Sequence, residues 1–386
     1  MILLRCATIL MLSLPCAGVA RPDGAAATAQ QHHDHPELSH RPAPNPDEPA
    51  GRIKLDVLVT DASGHPVTGL QRENFTLLDN KKPRPILSFR AVDGTVGAER
   101  GEAGPSEAPV EVVLLVDMTN TPLRVVGHER NQIEEFLRRN GGRLRQPTSL
   151  MIFDDRGVRG LPQPTKDGNW LADELNKAEA TMHSMLLTEQ TEADRTTLSL
   201  NTLERIAEAA DKRTGRTILI WIGVGWPMLE NSHYLFTERE HGVQFDRVVT
   251  ISSLLRESRV TLYSIYPTDP AVTDEPGIQH YRSFLRGVPS VNQVRPGDLA
   301  LPVLAIHSGG RALEIPGDLG DEIASCIAEA SSYYTLSFNP VSAKHVDEYH
   351  EVAVHMDQRE LRARTSAGYY AEPGFQFQLP ALSAQP

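Results

Sequence analysis

Three oxygen-bearing side chains stand at alternate positions in LLVDMTNTP, residues 114–122: Asp117, Thr119 and Thr121. On an extended or gently curving segment, positions i, i+2 and i+4 project to one side. One carboxylate and two hydroxyls on one side form a set of hard oxygen donors. Such a set suits Mg2+, which keeps several waters or takes an acidic group from a partner. The same groups can instead bond to the backbone of their own loop, and both readings stand at this level.

The trio needs a rigid frame, and the preceding run supplies one. VEVVLLVD is continuously apolar from Val112 to Val116, the pattern of a strand covered on both faces. GHERNQIEEFLRRN follows with Ile133, Phe136 and Leu137 at helical spacing. Next come a hairpin, TSLMIFDDRGVRGL, and a short helix, WLADELNKAEA. A longer helix, TTLSLNTLERIAEAADKRTG, carries Leu203, Ile206, Ala207 and Ala210 on one face. RTILIWIGVG, RVTLYSIYP and RALEIP read as further strands, separated by FDRVVTISSLLRES and LALPVLAIHSGG as helices, with GDLGDEIASCIAEAS as the last helix. Strand–helix alternation with short links predicts an α/β fold, a doubly wound and mostly parallel sheet. Open sheets of that kind bind ligands beyond the carboxyl ends of their strands, where the trio falls.

The flanks are different. Ile53, Leu55, Val57 and Val59 alternate with polar positions, and Phe75, Leu77, Ile86 and Phe89 supply further strands around the turn DNKKP. SYYTLSFNP, YHEVAVHMD and LRARTSAGYYAEP near the other end are also strand-like. Neither set is large enough to close a core alone. We therefore expect residues 51–92 and 332–373 to pair as one discontinuous β-sandwich, with an α/β domain at 110–331 inserted between them. Residues 93–109 read as a linker, 21–50 as a disordered leader rich in His, Pro and Ala, and 374–386 as a disordered tail.

Residues 1–20 carry one early arginine, an apolar stretch and small residues at Gly18 and Ala20, the pattern of an export signal. Periplasmic or extracellular residence is the expectation, with no transmembrane segment in the mature chain. Removal of the signal leaves Cys326 as the remaining cysteine, so no intramolecular disulfide is expected. A net charge of −12 argues against nucleic acid as a partner.

With these pieces placed, the central region resembles a von Willebrand factor type A (VWA) domain, through VEVVLLVD leading into DMTNT and the alternation that follows. The whole chain resembles the VWFA-related proteins of acidobacterial type. VTDASGHPVTGLQRENFTLLDN, GRTILIWIGVGWP, LAIHSGGRAL, SSYYTLSFNP and RARTSAGYYA carry that likeness. The resemblance implies a metal-ion-dependent adhesion site in which Asp117, Thr119 and Thr121 hold Mg2+. It also implies a threonine from before the long helix, at Thr196 or Thr197, with Thr197 taken as the fourth ligand. The family's further aspartate is missing: Gly223 and Gly225 stand where it would sit, and Glu230 lies further on. Fewer charges predict weaker cation binding, a degenerate site.

Other groupings carry less. Asp154 and Asp155 fit a hairpin turn, His307 and Ser308 lack an orienting acid, and Trp221, Trp226 and Tyr263 fit packing roles. Two functions remain. The first is a non-enzymatic protein-binding or adhesion module whose partner docks at the top of the VWA sheet. The alternative is an envelope hydrolase using acidic cleft residues, for which the sequence offers no set of nucleophile, base and orienter.

Overall fold

A computed structural model describes residues 51–93, 110–160, 163–178, 189–213, 215–226, 237–267, 278–315, 318–329 and 331–373. The expected export signal, the leader, residues 94–109 of the linker, the tail and Glu230 lie outside the described residues, while Asp93, read as the start of the linker, ends a strand.

The amino-terminal strands are β1 (Ile53–Thr60), β2 (Phe75–Asp79), β3 (Lys82–Arg84) and β4 (Ser88–Asp93). The central region supplies β5 (Glu111–Asp117), β6 (Arg143–Asp154), β7 (Gly157–Gly160), β8 (Thr165–Asp167), β9 (Thr217–Ile222), β10 (Val260–Pro267) and β11 (Ala312–Ile315). Its helices are α1 (Leu123–Arg138), α2 (Gly168–Ala178), α3 (Glu189–Asp211), α4 (Glu238–Glu257), α5 (Leu301–His307) and α6 (Leu319–Ala328). The chain closes with β12 (Ser332–Phe338), β13 (Glu348–Met356), β14 (Arg362–Arg364) and β15 (Gly368–Ala371).

The central sheet runs β11-β10-β9-β5-β6-β7, with β8 also on β6. β5, β6, β9, β10 and β11 are parallel, while β7 and β8 run antiparallel to β6. Numbered along the domain with β8 left out, that order is 3-2-1-4-5-6, and it reverses between β5 and β9. Every residue of β5 is buried, including its terminal acids Glu111 and Asp117. The two-fold alternation of a strand explains this. Val112, Leu114 and Val116 pack toward α1, α2 and α6, whereas Val113 and Leu115 pack toward α3, α4 and α5. A strand covered by helices on both faces has no place for a solvated side chain.

Two antiparallel sheets flank this domain in sequence, β14-β1-β12-β4 and β15-β13-β2-β3. Each mixes strands from both ends of the chain. Ile53, Leu55 and Val57 of β1 meet Leu336 and Phe338 of β12 and Val352 and Val354 of β13 in one buried cluster. The discontinuous sandwich is therefore formed, and neither terminal segment closes a sheet by itself. Asp56 of β1 ties it to the α/β domain. Its carboxylate accepts Arg259 Nε at 3.0 Å and Nη2 at 2.9 Å, and Thr335 Oγ1 at 3.0 Å. Burial opposes the charge on Asp56, but Arg259 and Arg216 outweigh it and hold the acid below its usual range.

Among the described residues, no helix is long and apolar enough to cross a membrane.

Candidate functional site

β5 and β9 are neighbours at the point where strand order reverses, with Val116 paired to Ile222. Whatever follows each strand must meet there. Asp117 closes β5 and is fully buried, at 0% exposure. Its Oδ1 accepts the backbone N–H of Thr119 at 3.0 Å and of Asn120 at 2.9 Å. Its Oδ2 accepts Asn120 Nδ2 at 2.8 Å and the Trp221 indole N–H at 2.9 Å. Four donors fill the lone-pair directions of one carboxylate. Burial pushes the acid up, the Asn120, Trp221 and Thr119 donors pull it back, and the net shift is upward.

The two threonines are brought to the same place, but they turn inward. Thr119 is 9% exposed and Thr121 is 5% exposed. Thr119 Oγ1 donates to the Phe153 carbonyl at 3.4 Å, and Thr121 Oγ1 accepts the Val224 N–H at 3.1 Å. Thr197 sits on α3 with its side chain exposed, and Thr196 beside it is half-buried. The α3 hydroxyl that reaches the cluster is Ser199, which accepts from Asn120 Nδ2 at 3.1 Å and donates to the Arg195 carbonyl at 2.7 Å. Arg195 Nη1 in turn donates to the Thr119 carbonyl at 3.4 Å.

Gly223 follows β9 with φ +140°. A Cβ there would lie 2.5 Å from Thr121 Oγ1 and 2.7 Å from Asp117 Cβ. Most side chains would clash, and the left-handed φ favours glycine independently. The aspartate that the resemblance implies at this place has no room.

These residues do not suit a divalent cation. A cation bound by Asp117 would approach along directions already held by N–H groups, whose positive ends point at the carboxylate. Thr121 also offers its oxygen to a backbone amide. Among the described residues, no group of three or more His, Cys, Asp or Glu side chains is placed to hold a metal. The geometry makes a polar hub that joins β5, β9 and α3.

Beneath the hub lies an acid that sequence reading missed. Glu129 of α1 is 0% exposed, and neither of its carboxyl oxygens has a hydrogen-bond partner. Burial, then the neighbouring Asp117 charge, pushes it up to about 8. It is therefore a neutral carboxylic acid at pH 7. A sequence signal existed: Val126, Glu129, Ile133 and Leu137 share the buried stripe of α1. Trp221 was read as packing, and it does stack edge-on against Phe153 and Trp226. Its indole N–H is what sequence alone left without a role.

The remaining groupings are structural. Asp155 and Arg156 form the two-residue turn of the β6–β7 hairpin, and Asp154 Oδ1 accepts the Arg156 N–H at 3.0 Å. His307 is half-buried, and its desolvation holds it below its ordinary value, while Ser308 Oγ donates to the Ala305 carbonyl at 2.8 Å.

No protein-family model matches the chain, and no curated protein does. Solved structures overlap with it at low identity. An aerotolerance-related membrane protein from Bacteroides fragilis NCTC 9343 is 10% identical, with a TM-score of 0.32, over 57% of this chain and 98% of that one. The SpRpn10 VWA domain is 13% identical, with a TM-score of 0.29, over 56% of this chain and 94% of that one. The human COPII-coat protein Sec24c is 8% identical, with a TM-score of 0.34, over 70% of this chain and 44% of that one. The strand order and the two helical layers fit a VWA- or Rossmann-like α/β fold.

Proposed function

We propose that this chain, with its VWA-like central domain, is a non-catalytic protein-interaction module that works without a resident metal ion. One observation carries the reading: the Asp117 carboxylate is enclosed and bonded to four protein donors. A group so held is neither open to a cation nor free to act as an acid, base or nucleophile on a substrate. Its effect is to fix the loop between β5 and α1, so that the surface above it is rigid. Rigid loops on a covered sheet lose little entropy on binding a partner.

The partner would meet the carboxyl end of the sheet. Half-buried Asn120 and Asp155 and exposed Arg156 lie at that end, since Asp117 pairs in parallel with Phe153. The export signal in residues 1–20 supports action outside the cytoplasm, and the net charge of −12 supports a protein partner over nucleic acid.

Capture of envelope proteins on the immobilised chain, with and without EDTA, tests this. The reading expects a partner retained in chelator and lost with Arg156→Glu. Hydrolytic turnover that disappears in Asp117→Ala would overturn it in favour of an envelope hydrolase.

A further inference from the structure

The sandwich holds a second buried polar cluster, which shares no residue with the strand-end hub. The His350 side chain of β13 is 4% exposed. Its Nδ1 bonds Asp79 Oδ1 of β2 at 2.8 Å, and the Tyr369 hydroxyl of β15 donates to Asp79 Oδ2 at 3.0 Å. Burial opposes the charge on Asp79, but the His350 and Tyr369 bonds and Arg84, 3.6 Å away, outweigh it and hold the acid below its usual range. An ionised carboxylate can only accept. The proton of a neutral His350 ring therefore sits on Nδ1, and the lone pair is left on Nε2.

That lone pair has no use inside the fold. His350 Nε2 is shielded from solvent and has no hydrogen-bond partner. Glu348 Oε1, two residues back on the same face of β13, lies 3.9 Å away, too far for a hydrogen bond. The other Glu348 oxygen accepts the Lys344 N–H at 2.5 Å, which fixes the carboxylate where the chain enters β13. That bond, together with the charges of His350, His345 and Lys344, holds Glu348 below its usual range, so it too is ionised at pH 7.

An imidazole held through one nitrogen by a buried carboxylate, with the other nitrogen free, is what metal-binding histidines present. Two donors on one tetrahedral Zn2+ stand roughly 3.4 Å apart, given bonds of about 2.0–2.1 Å. The 3.9 Å between Nε2 and Oε1 thus closes with a shift of about half an ångström, and part of the Glu348 side chain faces solvent and can make it. A further donor stands three residues before Glu348: exposed His345, whose charge already acts on that acid. Among the described residues no three such side chains are gathered, so His345 joins by rotating inward from its turn.

We propose that His350 and Glu348, joined by His345, bind Zn2+ or a similar transition-metal ion, with water completing its shell. Imidazole donors favour such ions over Mg2+. The ion ties the segment between β12 and β13 to the sandwich, and Asp79 and Tyr369 orient its buried ligand. It is exchangeable, and the metal-free reading of the strand-end surface does not rest on it.

Thermal melts of the full chain, stripped with EDTA and dialysed, test it with ZnCl2 and MgCl2 as probes. Zn2+ should raise the melting temperature by about 3 °C or more, and Mg2+ should not. Glu348→Gln keeps an acceptor for the Lys344 N–H but loses the charge. It should abolish the rise while melting like the parent in EDTA. His345→Ala should weaken zinc binding roughly tenfold or more in a calorimetric titration. Zinc taken up by His32, His33, His35 or His40 persists in both variants and is told apart in that way. No zinc-dependent rise, an equal rise with Mg2+, or a rise retained in both variants would overturn the proposal.

Discussion

The indole N–H of Trp221 donates to Asp117 Oδ2 across the β5–β9 pair at 2.9 Å, with both side chains fully buried. One strand brings the charge and the other brings a donor to hold it. This pairing turns a group that looks like a ligand into a joint of the fold. Removing either partner leaves buried polar groups unmatched, and that asymmetry sets the size of the effects below.

Asp117→Ala should destabilise the chain by roughly 3 kcal/mol or more, because the Thr119, Asn120 and Trp221 donors lose their acceptor together. Urea unfolding followed by tryptophan fluorescence measures it. A loss within about 0.5 kcal/mol, ordinary for surface changes, would contradict the hub.

Gly223→Asp supplies the acid that the resemblance implies, and it should harm the protein. The new Cβ meets Thr121 Oγ1 and Asp117 Cβ at sub-contact distances and adopts an unfavourable φ. A cost of about 2 kcal/mol or more is expected, without Mg2+-dependent recovery in a thermal melt.

Glu129→Gln should change how stability depends on pH. The folded acid titrates near 8 against an ordinary value of 4.5, so folding holds a proton that the unfolded chain releases. That contribution is full below pH 4.5 and is lost as pH rises toward 8, at up to about 1.4 kcal/mol per pH unit. Denaturation midpoints from pH 5 to 9 should therefore fall less steeply in the variant. Identical slopes would show that Glu129 is ionised or exposed in the fold.

Asp56→Ala should cost about 3 kcal/mol by removing the carboxylate that faces half-buried Arg259 and buried Arg216. Because the folded acid lies below its ordinary value of 3.8, its contribution is present above that pH and lost as pH falls through the lowered one. Acid unfolding of the variant and the parent should converge there. Limited proteolysis of the variant should also cut between β1 and the α/β domain sooner than in the parent.

Much of this fold is written in simple periodicities. The uninterrupted apolar run of β5 demanded two helical layers, and the alternation Ile53, Leu55, Val57, Val59 demanded a half-buried sheet whose partners had to come from elsewhere. Both are consequences of local sequence, and both are realised. α3 begins at Glu189, earlier than its apolar spacing indicates. At the site, i, i+2, i+4 spacing placed Asp117, Thr119 and Thr121 together but could not show which way their oxygens turn. That direction depends on donors from distant positions: Trp221 lies 104 residues from Asp117, and Val224 lies 103 from Thr121. Ser199 displaces Thr197 for a similar reason, the rotation of α3 against the sheet.

The most direct test of the hub is a calorimetric melt of the parent chain in Mg2+ and in EDTA, beside Asp117→Ala under both conditions. The account predicts one melting temperature for the parent with and without the ion, and a much lower one, equally insensitive to it, for the variant. A rise in the parent's melting temperature with Mg2+ that vanishes in Asp117→Ala would mean that the carboxylate opens to a cation, and the account would fail.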